Sequence, residues 1–548
     1  MNFKAVGISL LIVLLMASMA MDTRATDDSY IEGQTLELYE DMRVSGELHI
    51  VNSTLIFHGR RSLVAEPDSK LFIENSKITG DGFSIFIEEG ARLVLLNSEI
   101  SSFGSEDLEA FRNATSGERL TEYNRYLWIG PDFTRNLNLY GEDGIVIRGD
   151  GAEIIGSVFR NYTSIRIYSS NNFIKENRFL GMRHEGLAFM SGSNNNRIIG
   201  NYFGQAERMD REIFGLRFYP GTENEEVYNN TFEMLPIGMM VANIPPWDAG
   251  ENFTIHGNTF RDTIFGFTGK LKDSHVFNEA YIHNLSPVHF EACVNLVFEN
   301  STISDVTFQP EAINRGYFME VWERKLLKNM AYWMFGFYCS KSMLGLGWSG
   351  YNITIRNNVF SNAPPYTMAI DFDMAKGISH VYILNNTFVN IGNYIPEGYI
   401  VRNDWTGYNR IANVTPIEGA CIAPEGSDYL YIERNSFINV LNGISTSSPD
   451  ALGNFGNLII KDNMFVGLGR FEWYEQRFSG GWWTGHHRIV EDSIGIALGM
   501  RYIVRDWAAF KTYRLNSTMI VEGNELVNFT RPIVIDFRRD QPGAEEMG

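Results

Sequence analysis

A short pattern centred on asparagine recurs along most of this chain. An aliphatic residue is followed three positions later by asparagine, and two positions after that by phenylalanine or leucine. The copies are Ile174-Asn177-Phe179, Ile198-Asn201-Phe203, Val227-Asn230-Phe232, Ile255-Asn258-Phe260, Ile355-Asn358-Phe360, Ile383-Asn386-Phe388, Ile432-Asn435-Phe437, Ile460-Asn463-Phe465 and Val521-Asn524-Leu526. Self-similarity at steps of about 20 to 30 residues is typical of solenoids, in which each repeat is one turn that packs against its neighbours.

A related form of the pattern places the apolar residue three positions after asparagine, at Asn52, Asn75, Asn97 and Asn300. Two weaker copies continue the spacing, one centred on Ser157 and one over residues 275–282 with Glu279 in the asparagine position. A second short alternating strand, often led by glycine, precedes most of these asparagines. Two or three short strands in every repeat predict a parallel β-solenoid.

The asparagine column has a physical reason in such a solenoid. Equivalent residues of successive turns lie about 4.8 Å apart. A side-chain amide carries both donors and an acceptor, so stacked asparagines can bond to one another or to backbone groups that are otherwise unpaired. The phenylalanine two positions later is predicted to fill the interior.

With these repeats the sequence resembles the right-handed parallel β-helix superfamily of pectate-lyase-like proteins, in particular the repeat shared by NosD-type periplasmic proteins and microbial surface β-helix proteins. The resemblance covers roughly residues 30–540. It implies an all-β fold, a single-stranded right-handed parallel β-helix solenoid with loop or helical insertions. It implies little about activity, because the motif residues are the scaffold itself.

The N-terminal segment has the composition of a secretory signal, with Lys4 ahead of a long apolar run. An uncleaved membrane anchor is the alternative, since the run barely meets the length that spans a bilayer. We therefore expect an exported protein. The predicted segments are residues 1–25 as signal peptide or N-terminal anchor, residues 26–540 as the β-helix with insertions at about 103–138, 309–342 and 469–517, and residues 541–548 as a polar tail.

Charge and cysteine content exclude several classes of function. The chain has 46 Lys and Arg against 66 Asp and Glu, a formal net charge of −20, which argues against a nucleic-acid partner because phosphate binding needs a surplus of basic groups. Three cysteines in 548 residues do not make a disulfide framework, and no zinc-ligand spacing accompanies them.

Twelve N-x-S/T sequons predict a glycoprotein, if the chain is exported to a compartment that glycosylates. They lie at Asn52, Asn113, Asn161, Asn229, Asn252, Asn284, Asn300, Asn352, Asn385, Asn413, Asn516 and Asn528. The alternative is that a repeat rich in asparagine and threonine produces sequons without any glycosylation.

Alternation along the glycine-led strands predicts which side chains point away from the core and into solvent. In the N-terminal half this outward column is basic and includes Arg217 and Tyr219, which we predict to bind carbohydrate. Trp473, Trp482 and Trp483 in the third insertion are further candidates, because a flat aromatic ring suits the face of a sugar. The alternative is that the insertions bury their aromatic residues against the solenoid wall.

The middle of the outward column is acidic. His289 and Glu291 are followed by a rung whose outward residues are both glycine, and then by Asp371 and Asp373. Two rungs separate Glu291 from Asp371 by roughly 10 Å, near the separation of about 6.5–9.5 Å between the carboxyl groups of inverting glycosidases. We predict these four residues as catalytic residues of a groove. The alternative is an ordinary solvated face.

No metal site or cofactor is predicted from the residues alone. In polysaccharide lyases of the superfamily, acidic groups hold Ca²⁺ while a basic residue takes the proton, so the resemblance implies Ca²⁺ if the groove is a lyase site. The sharper motifs of the polygalacturonases and alginate epimerases do not occur in the sequence.

The sequence therefore favours an exported cell-surface β-helix protein that binds or presents carbohydrate, acting as a monomer with attachment to the cell envelope. A polysaccharide-degrading enzyme, either a glycoside hydrolase or a polysaccharide lyase, is the first alternative. A purely structural envelope or adhesion protein is the second.

Overall fold

Parallel β-strands make up nearly all of the regular structure of this chain. The computed structural model describes residues 23–25, 29–104, 144–204, 213–219, 221–235, 237–241, 250–262, 264–266, 284–309, 340–373, 378–403, 419–424, 428–445, 457–479, 482–500, 503–506, 511–514 and 518–537. Every regular element within these ranges is a strand. The strand pairs are parallel except in two hairpins.

The strands up to residue 204 are β1 (Thr23–Ala25), β2 (Ser29–Glu32), β3 (Thr35–Leu38), β4 (Met42–Val44), β5 (Glu47–Val51), β6 (Thr54–Phe57), β7 (Ser62–Ala65), β8 (Lys70–Glu74), β9 (Lys77–Ile87), β10 (Arg92–Leu96), β11 (Glu99–Phe103), β12 (Ile145–Ile147), β13 (Glu153–Ile155), β14 (Val158–Ile167), β15 (Phe173–Lys175), β16 (Arg178–Phe189), β17 (Arg197–Ile199) and β18 (Tyr202–Gly204). The strands from there to residue 373 are β19 (Phe214–Phe218), β20 (Glu226–Tyr228), β21 (Thr231–Glu233), β22 (Ile237–Val241), β23 (Gly250–Glu251), β24 (Thr254–His256), β25 (Thr259–Arg261), β26 (Ile264–Gly266), β27 (Asn284–Leu285), β28 (Val288–Glu299), β29 (Thr302–Ser304), β30 (Thr307–Gln309), β31 (Ser340–Arg356), β32 (Val359–Ala363) and β33 (Met368–Asp373). The remaining strands are β34 (Ile378–Leu384), β35 (Thr387–Ile391), β36 (Val401–Asn403), β37 (Ala420–Ala423), β38 (Asp428–Glu433), β39 (Ser436–Val440), β40 (Asn442–Ser445), β41 (Asn457–Lys461), β42 (Met464–Ser479), β43 (Trp482–Asp492), β44 (Ile494–Met500), β45 (Ile503–Asp506), β46 (Lys511–Arg514), β47 (Thr518–Glu522), β48 (Glu525–Phe529) and β49 (Arg531–Phe537).

Each turn of the chain contributes strands to three sheets, and equivalent strands of successive turns pair in register. In the first sheet β17, β20 and β24 pair in that order, and in the second sheet β18, β21 and β25 do so. From residue 145 onward the third sheet consists of β12, the end of β14, the end of β16, β19, β22, the start of β28, the start of β31, β33, β37, β40, β44 and β49. The parallel solenoid predicted from the repeat is confirmed.

Stacked phenylalanines fill the interior between the sheets. Phe159, Phe179, Phe203, Phe232 and Phe260 are buried and stack in consecutive turns, with ring centroids 4.6–5.0 Å apart. Full burial of one such side chain stabilises the fold by about 1.5–3 kcal/mol. The phenylalanine of the repeat is therefore a core residue, as predicted.

One unbroken ladder of polar side chains joins the turns between the first and second sheets. The side-chain oxygen of each rung accepts the backbone N–H of the rung before it, over 2.8–3.1 Å. An asparagine rung also donates from its amide: Asn201 Nδ2 lies 3.0 Å from Asn230 Oδ1 and 3.0 Å from the carbonyl oxygen of Ile174. The rungs are Ser53, Ser76, Ser98, Ser157, Asn177, Asn201, Asn230, Asn258, Ser301, Asn358, Asn386, Asn435, Asn463 and Asn524. The predicted role of the asparagine column is confirmed.

The related form of the repeat differs from our expectation at one position. Its asparagines, Asn52, Asn75, Asn97 and Asn300, have positive φ angles of 48–52° at the turn, and the serine after each is the ladder rung. Asparagine suits the left-handed region because its short side chain bonds locally. The turn predicted over residues 275–282 is wrong, because β24 and β25 pair directly with β28 and β29. Glu279 itself lies outside the described residues.

Most of the sequon asparagines also lie at turns with a left-handed backbone conformation. Eight of them are exposed and have positive φ: Asn52, Asn161, Asn229, Asn252, Asn300, Asn352, Asn385 and Asn528. Asn229, for example, precedes the ladder rung Asn230 and then Thr231, the first residue of β21. Turn chemistry therefore accounts for the sequon spacing, and glycosylation stays a prediction. Asn284 begins β27, while Asn113, Asn413 and Asn516 lie outside the described residues.

A second, shorter ladder ends on a buried carboxyl group. Asn172 Nδ2 donates to Asn196 Oδ1 at 2.7 Å, and Asn196 Nδ2 donates to Glu225 Oε1 at 2.9 Å. Phe253 occupies the equivalent place in the next turn, and Glu225 Oε2 has no hydrogen-bond partner among the described residues. Burial raises the pKa of Glu225 well above its ordinary value of 4.5.

Glu225→Gln is expected to stabilise the protein at neutral pH and not at acid pH. Above pH 4.5 the unfolded chain releases this proton while the folded chain retains it, so wild-type stability falls as the pH rises, whereas glutamine does not titrate. We expect a gain of about 1–3 kcal/mol in the free energy of unfolding at pH 8, shrinking towards zero at pH 4, measured by urea unfolding. Glu226→Gln is the control, because Glu226 is the next residue in the chain and its side chain is exposed to solvent. A gain of equal size at both pH values would contradict the assignment.

Candidate functional site

The outer face of the third sheet carries polar side chains that are buried. Its central column reads, turn by turn, Val146, Arg166, Ala188, Arg217, Met240, His289, Gly345, Asp371 and Ala423. The register matches the prediction from Val146 to Met240 and from His289 to Ala423, but the rung predicted between Met240 and His289 is wrong, because these two residues pair directly. The expectation that this column faces solvent is also wrong: Arg166, His289 and Asp371 are only 6%, 2% and 3% exposed. Alternation along a strand fixes which side chains point away from the core, and it does not say what lies over them. Segments that interrupt the repeat, such as residues 310–339 and 404–418, adjoin strands of this sheet in the sequence.

The first sheet shows how differently an ordinary outer face is built. Arg197 Nε lies 3.0 Å from Glu226 Oε2 of the adjacent turn, and both side chains are 52% exposed. Such a solvated pair contributes at most about 1 kcal/mol. The charged groups of the third sheet are instead removed from water, where they need close partners.

Four polar side chains from three turns meet at the N-terminal part of this face. Glu185 Oε1 accepts hydrogen bonds from Arg217 Nη1 at 3.1 Å and from the Tyr219 hydroxyl at 2.5 Å. Glu185 Oε2 lies 3.7 Å from Arg166 Nε. The guanidinium carbon of Arg217 lies 4.4 Å and 4.5 Å from the ring centroids of Phe214 and Tyr219. We call Arg166, Glu185, Arg217 and Tyr219 the arginine cluster.

The arginine cluster is bonded internally and little exposed to solvent. The side chains of Glu185, Arg166 and Arg217 are 1%, 8% and 17% exposed, so Arg217 is the most accessible of the three. Burial raises the pKa of Tyr219 well above its ordinary value of 10.0, which keeps the phenol a neutral hydrogen-bond donor. The cluster thus presents a planar guanidinium held against two rings, an arrangement suited to carboxylate or hydroxyl groups.

The glycines that lead these strands fix the backbone next to the cluster. A Cβ on Gly186 would lie 2.4 Å from the carbonyl oxygen of Gly215, and a Cβ on Gly215 would lie 2.7 Å from that of Gly238. Only glycine allows successive turns to approach so closely at this corner. Glu185, directly before Gly186, is thereby held opposite Phe214 of the next turn.

The predicted acidic groove has the predicted register. His289 pairs with Gly345, and Gly345 pairs with Asp371, so a glycine lies between the two polar residues as expected. His289 and Asp371 are buried, which differs from the open groove that we expected. Glu291 and Asp373 lie two residues further along the same strands, each paired with Gly347, and their side chains lie outside the described residues. The catalytic assignment stays a prediction.

Part of the predicted third insertion is a β-hairpin that packs on the solenoid, while β44, within the predicted bounds, is a strand of the third sheet. β42 and β43 pair antiparallel, and β36 pairs with β42. Trp473 is 3% exposed and packs with Val401, Leu441 and Ile489. Its ring is therefore not presented to a sugar at the surface, which favours the alternative of aromatic burial for this residue. Trp482 and Trp483 begin β43, and their side chains lie outside the described residues.

Comparison with known proteins places the fold. The family described as "Right handed beta helix region" matches residues 143–268, where the three-sheet turns are regular. The chain is a right-handed parallel β-helix. No curated protein matches it by sequence.

Solved structures similar to this β-helix differ widely in what they do. PfbA, a surface adhesin of Streptococcus pneumoniae, is 12% identical over 88% of this chain and 85% of its own, with a TM-score of 0.38. The tailspike protein of E. coli bacteriophage HK620, solved with a pentasaccharide, is 11% identical over 79% of this chain and 74% of its own, with a TM-score of 0.42. The catalytic unit of the GH87 alpha-1,3-glucanase of Streptomyces thermodiastaticus is 12% identical over 80% of this chain and 62% of its own, with a TM-score of 0.36. These similarities concern the fold alone.

Sequence reasoning placed Arg217 and Tyr219 correctly on the outer face of the β-helix and missed the residue that joins them. Glu185 stands directly before a glycine-led strand, in a column whose next member is Phe214. A lone carboxylate at the start of such a strand, with arginines of the two neighbouring turns in register with Ala188 of the same strand, is the signal that could have identified it.

Two kinds of feature are absent from the described part of the chain. No group of three or more His, Cys, Asp and Glu side chains there is arranged to hold a metal ion. Within the same residues, none of the elements is a helix with the length and apolarity needed to cross a membrane.

Proposed function

We propose that this β-helix binds a polysaccharide along the outer face of its third sheet and does so outside the cytoplasm. The observation that carries the proposal is the arginine cluster, in which charged groups lie away from the core and yet are nearly removed from water. Withdrawing such groups from solvent is costly, and polar groups set in a desolvated cleft are characteristic of binding sites. The length of the sheet matches a polymeric ligand better than a small one.

Arg217 is the residue through which we expect the ligand to be bound. It is the most exposed of the charged cluster residues, and contacts with Glu185, Phe214 and Tyr219 fix its orientation. A fixed guanidinium loses little side-chain entropy on binding. It can donate two parallel hydrogen bonds to a uronate carboxylate or to neighbouring hydroxyls of a sugar.

A second candidate function is polysaccharide cleavage in the middle of the same face. The observation that favours it is the placement of His289 and Asp371 on either side of Gly345. Short side chains between an acid and a base leave room for a sugar ring, and general acid–base catalysis needs both groups within reach of one glycosidic bond.

One experiment tests both candidates. The full chain is run through gels containing polygalacturonate, alginate, xylan or dextran, and each mixture is scored for new reducing ends and unsaturated products, with and without Ca²⁺. We expect retention by at least one polymer, weakened about tenfold or more, about 1.4 kcal/mol, by Arg217→Gln. Arg197→Gln is the matched control, because Arg197 is an ion-paired arginine on the exposed first sheet. Circular dichroism confirms that each variant is folded.

The outcomes separate the classes of function. Equal weakening by Arg217→Gln and Arg197→Gln would place binding away from the third sheet. Product formation that Asp371→Asn and Glu291→Gln both abolish would establish the enzyme, while retention without products would leave a binding β-helix. Absence of both signals on all four polymers would contradict the proposal and favour a structural envelope protein.

Export, envelope attachment, glycosylation and a monomeric state belong to the same proposal. Residues 1–25 support export through their composition. The sequons give weaker support, since turn chemistry explains their spacing. Eight of the twelve are nevertheless exposed at turns, where an attached glycan would meet solvent.

A further inference from the structure

One buried amide on the outer face of the third sheet makes no hydrogen bond with the described residues. Asn442, the first residue of β40, is 3% exposed, and neither its Nδ2 nor its Oδ1 has a partner there. A side-chain amide offers two donors and an acceptor. Buried polar groups are nearly always satisfied, by protein, water or ligand, so this orphan calls for an explanation.

The neighbours of Asn442 show that its side chain lies on the outer face. Ala420 holds the equivalent place in the preceding turn, and it packs with Met368 and Ala423 in a cluster separate from the main core. The next residue points the other way, because a Cβ on Gly443 would lie 2.8 Å from the buried ring of Phe465. Asn442 therefore belongs to the same face as the arginine cluster, several turns further along.

The positions next to this amide on the sheet itself carry no charge. Ala420 precedes it in its column and Ile494 follows it. The adjacent column consists of Ala423, Ser445 and Ala497 in successive turns. No charged side chain occupies these positions, and small residues leave the floor of the face shallow.

Two further unpartnered polar atoms belong to residues next to the neighbours of Asn442. Trp473 packs against Leu441, the residue before Asn442, and its indole Nε1 is buried without a hydrogen-bond partner among the described residues. Ser493, the residue before Ile494, is fully buried, and its hydroxyl is unpartnered in the same sense. An amide, an indole N–H and a hydroxyl are all uncharged hydrogen-bonding groups, which suit the hydroxyl groups of a sugar.

We propose that Asn442 forms a subsite for an uncharged, hydroxyl-bearing sugar residue at the C-terminal part of the third-sheet face. The inference rests on the proposed function and refines it: the ligand is a polysaccharide that contains neutral sugars, and the amide sets specificity by bonding adjacent hydroxyls. A site built to bond a hydroxyl rejects a ligand that lacks it, because its own buried polar groups are then left unpaired.

Asn442→Leu tests this assignment, because leucine keeps the shape and removes every hydrogen bond. Retention by the neutral polymers xylan and dextran is measured in gels, and thermal unfolding is followed with and without each polymer. We expect the variant to unfold at the wild-type temperature or above, since an unsatisfied amide is removed, and to lose at least about tenfold in affinity. Asn457→Leu is the control, because Asn457 lies on the first sheet.

Three results would overturn the inference, and they are distinguishable. A wild type retained by xylan or dextran, with the Asn442→Leu variant retained equally, would remove the subsite and leave the proposed function standing. A variant that unfolds at a markedly lower temperature than wild type would show that the amide is bonded within the protein. A wild type retained by neither neutral polymer would refute the subsite, and retention by no polymer of the panel would refute the proposed function as well.

Discussion

Asn230→Leu is expected to lower the free energy of unfolding by about 3–5 kcal/mol, although the two side chains are almost the same size. Asn230 Oδ1 accepts from the backbone N–H and from Nδ2 of Asn201, at 2.8 Å and 3.0 Å. Its own Nδ2 donates to Asn258 Oδ1 and to the carbonyl oxygen of Ile198. Leucine would strand several buried donors and acceptors at once, and each costs about 1–3 kcal/mol. Urea unfolding monitored by circular dichroism measures the loss.

The chain itself supplies a matched variant for this experiment. Ser301 is a rung of the same ladder: its Oγ accepts the backbone N–H of Asn258 and donates to the carbonyl oxygen of Glu299. We therefore expect Asn230→Ser to cost clearly less than Asn230→Leu, because the hydroxyl still satisfies the N–H of Asn201. Equal losses for the two variants would mean that side-chain volume, and not hydrogen bonding, maintains the ladder.

The repeat made the fold predictable because the same residues serve the same purpose in every turn. Phe203 and Phe232 stack in the core, and Asn201 and Asn230 bond along the axis, so the chemistry that stabilises a turn is visible as a repeat in the sequence. Ser157 was recognised as a weak copy, but the rungs Ser53, Ser76, Ser98 and Ser301 escaped notice because each sits one position after a conspicuous asparagine. That asparagine is required by the turn conformation and not by the ladder.

The candidate site was less predictable than the fold, because the repeat determines the strands and not the segments that cover them. Alternation placed Arg217 and His289 on the outer face correctly, since it depends only on strand geometry. Whether that face is exposed to solvent depends on chain segments that are not part of the repeat. The spacing of the repeat does not predict where those segments pack. Trp473 illustrates this, because a hairpin packed on Leu441 buries a ring that sequence alone left equally suited to a sugar.

Glu185→Gln is expected to be among the most destabilising single substitutions in the third sheet, at about 3–5 kcal/mol. The carboxylate is the shared partner of Arg166 and Arg217, which are 8% and 17% exposed, and it accepts the hydroxyl of Tyr219. Removing one partner of a buried ion pair leaves an uncompensated charge in a poorly hydrated place. Glutamine keeps the size and one acceptor, so the loss reports charge and not packing.

Combining Glu185→Gln with Arg166→Met and Arg217→Met separates the cost of unpaired buried charge from the cost of any substitution at position 185. Because the stranded charges are then removed with their partner, we expect the triple variant to recover a large part of the lost stability, giving a coupling energy of about 1–3 kcal/mol by urea unfolding. Glu153→Gln is the control, since Glu153 pairs with Arg92 on an exposed face and should cost no more than about 1 kcal/mol. A triple variant no more stable than Glu185→Gln would show that the arginines are stabilised by groups other than Glu185. In that case the cluster would be part of the scaffold, and Arg217 would lose the restraint that we hold responsible for ligand binding.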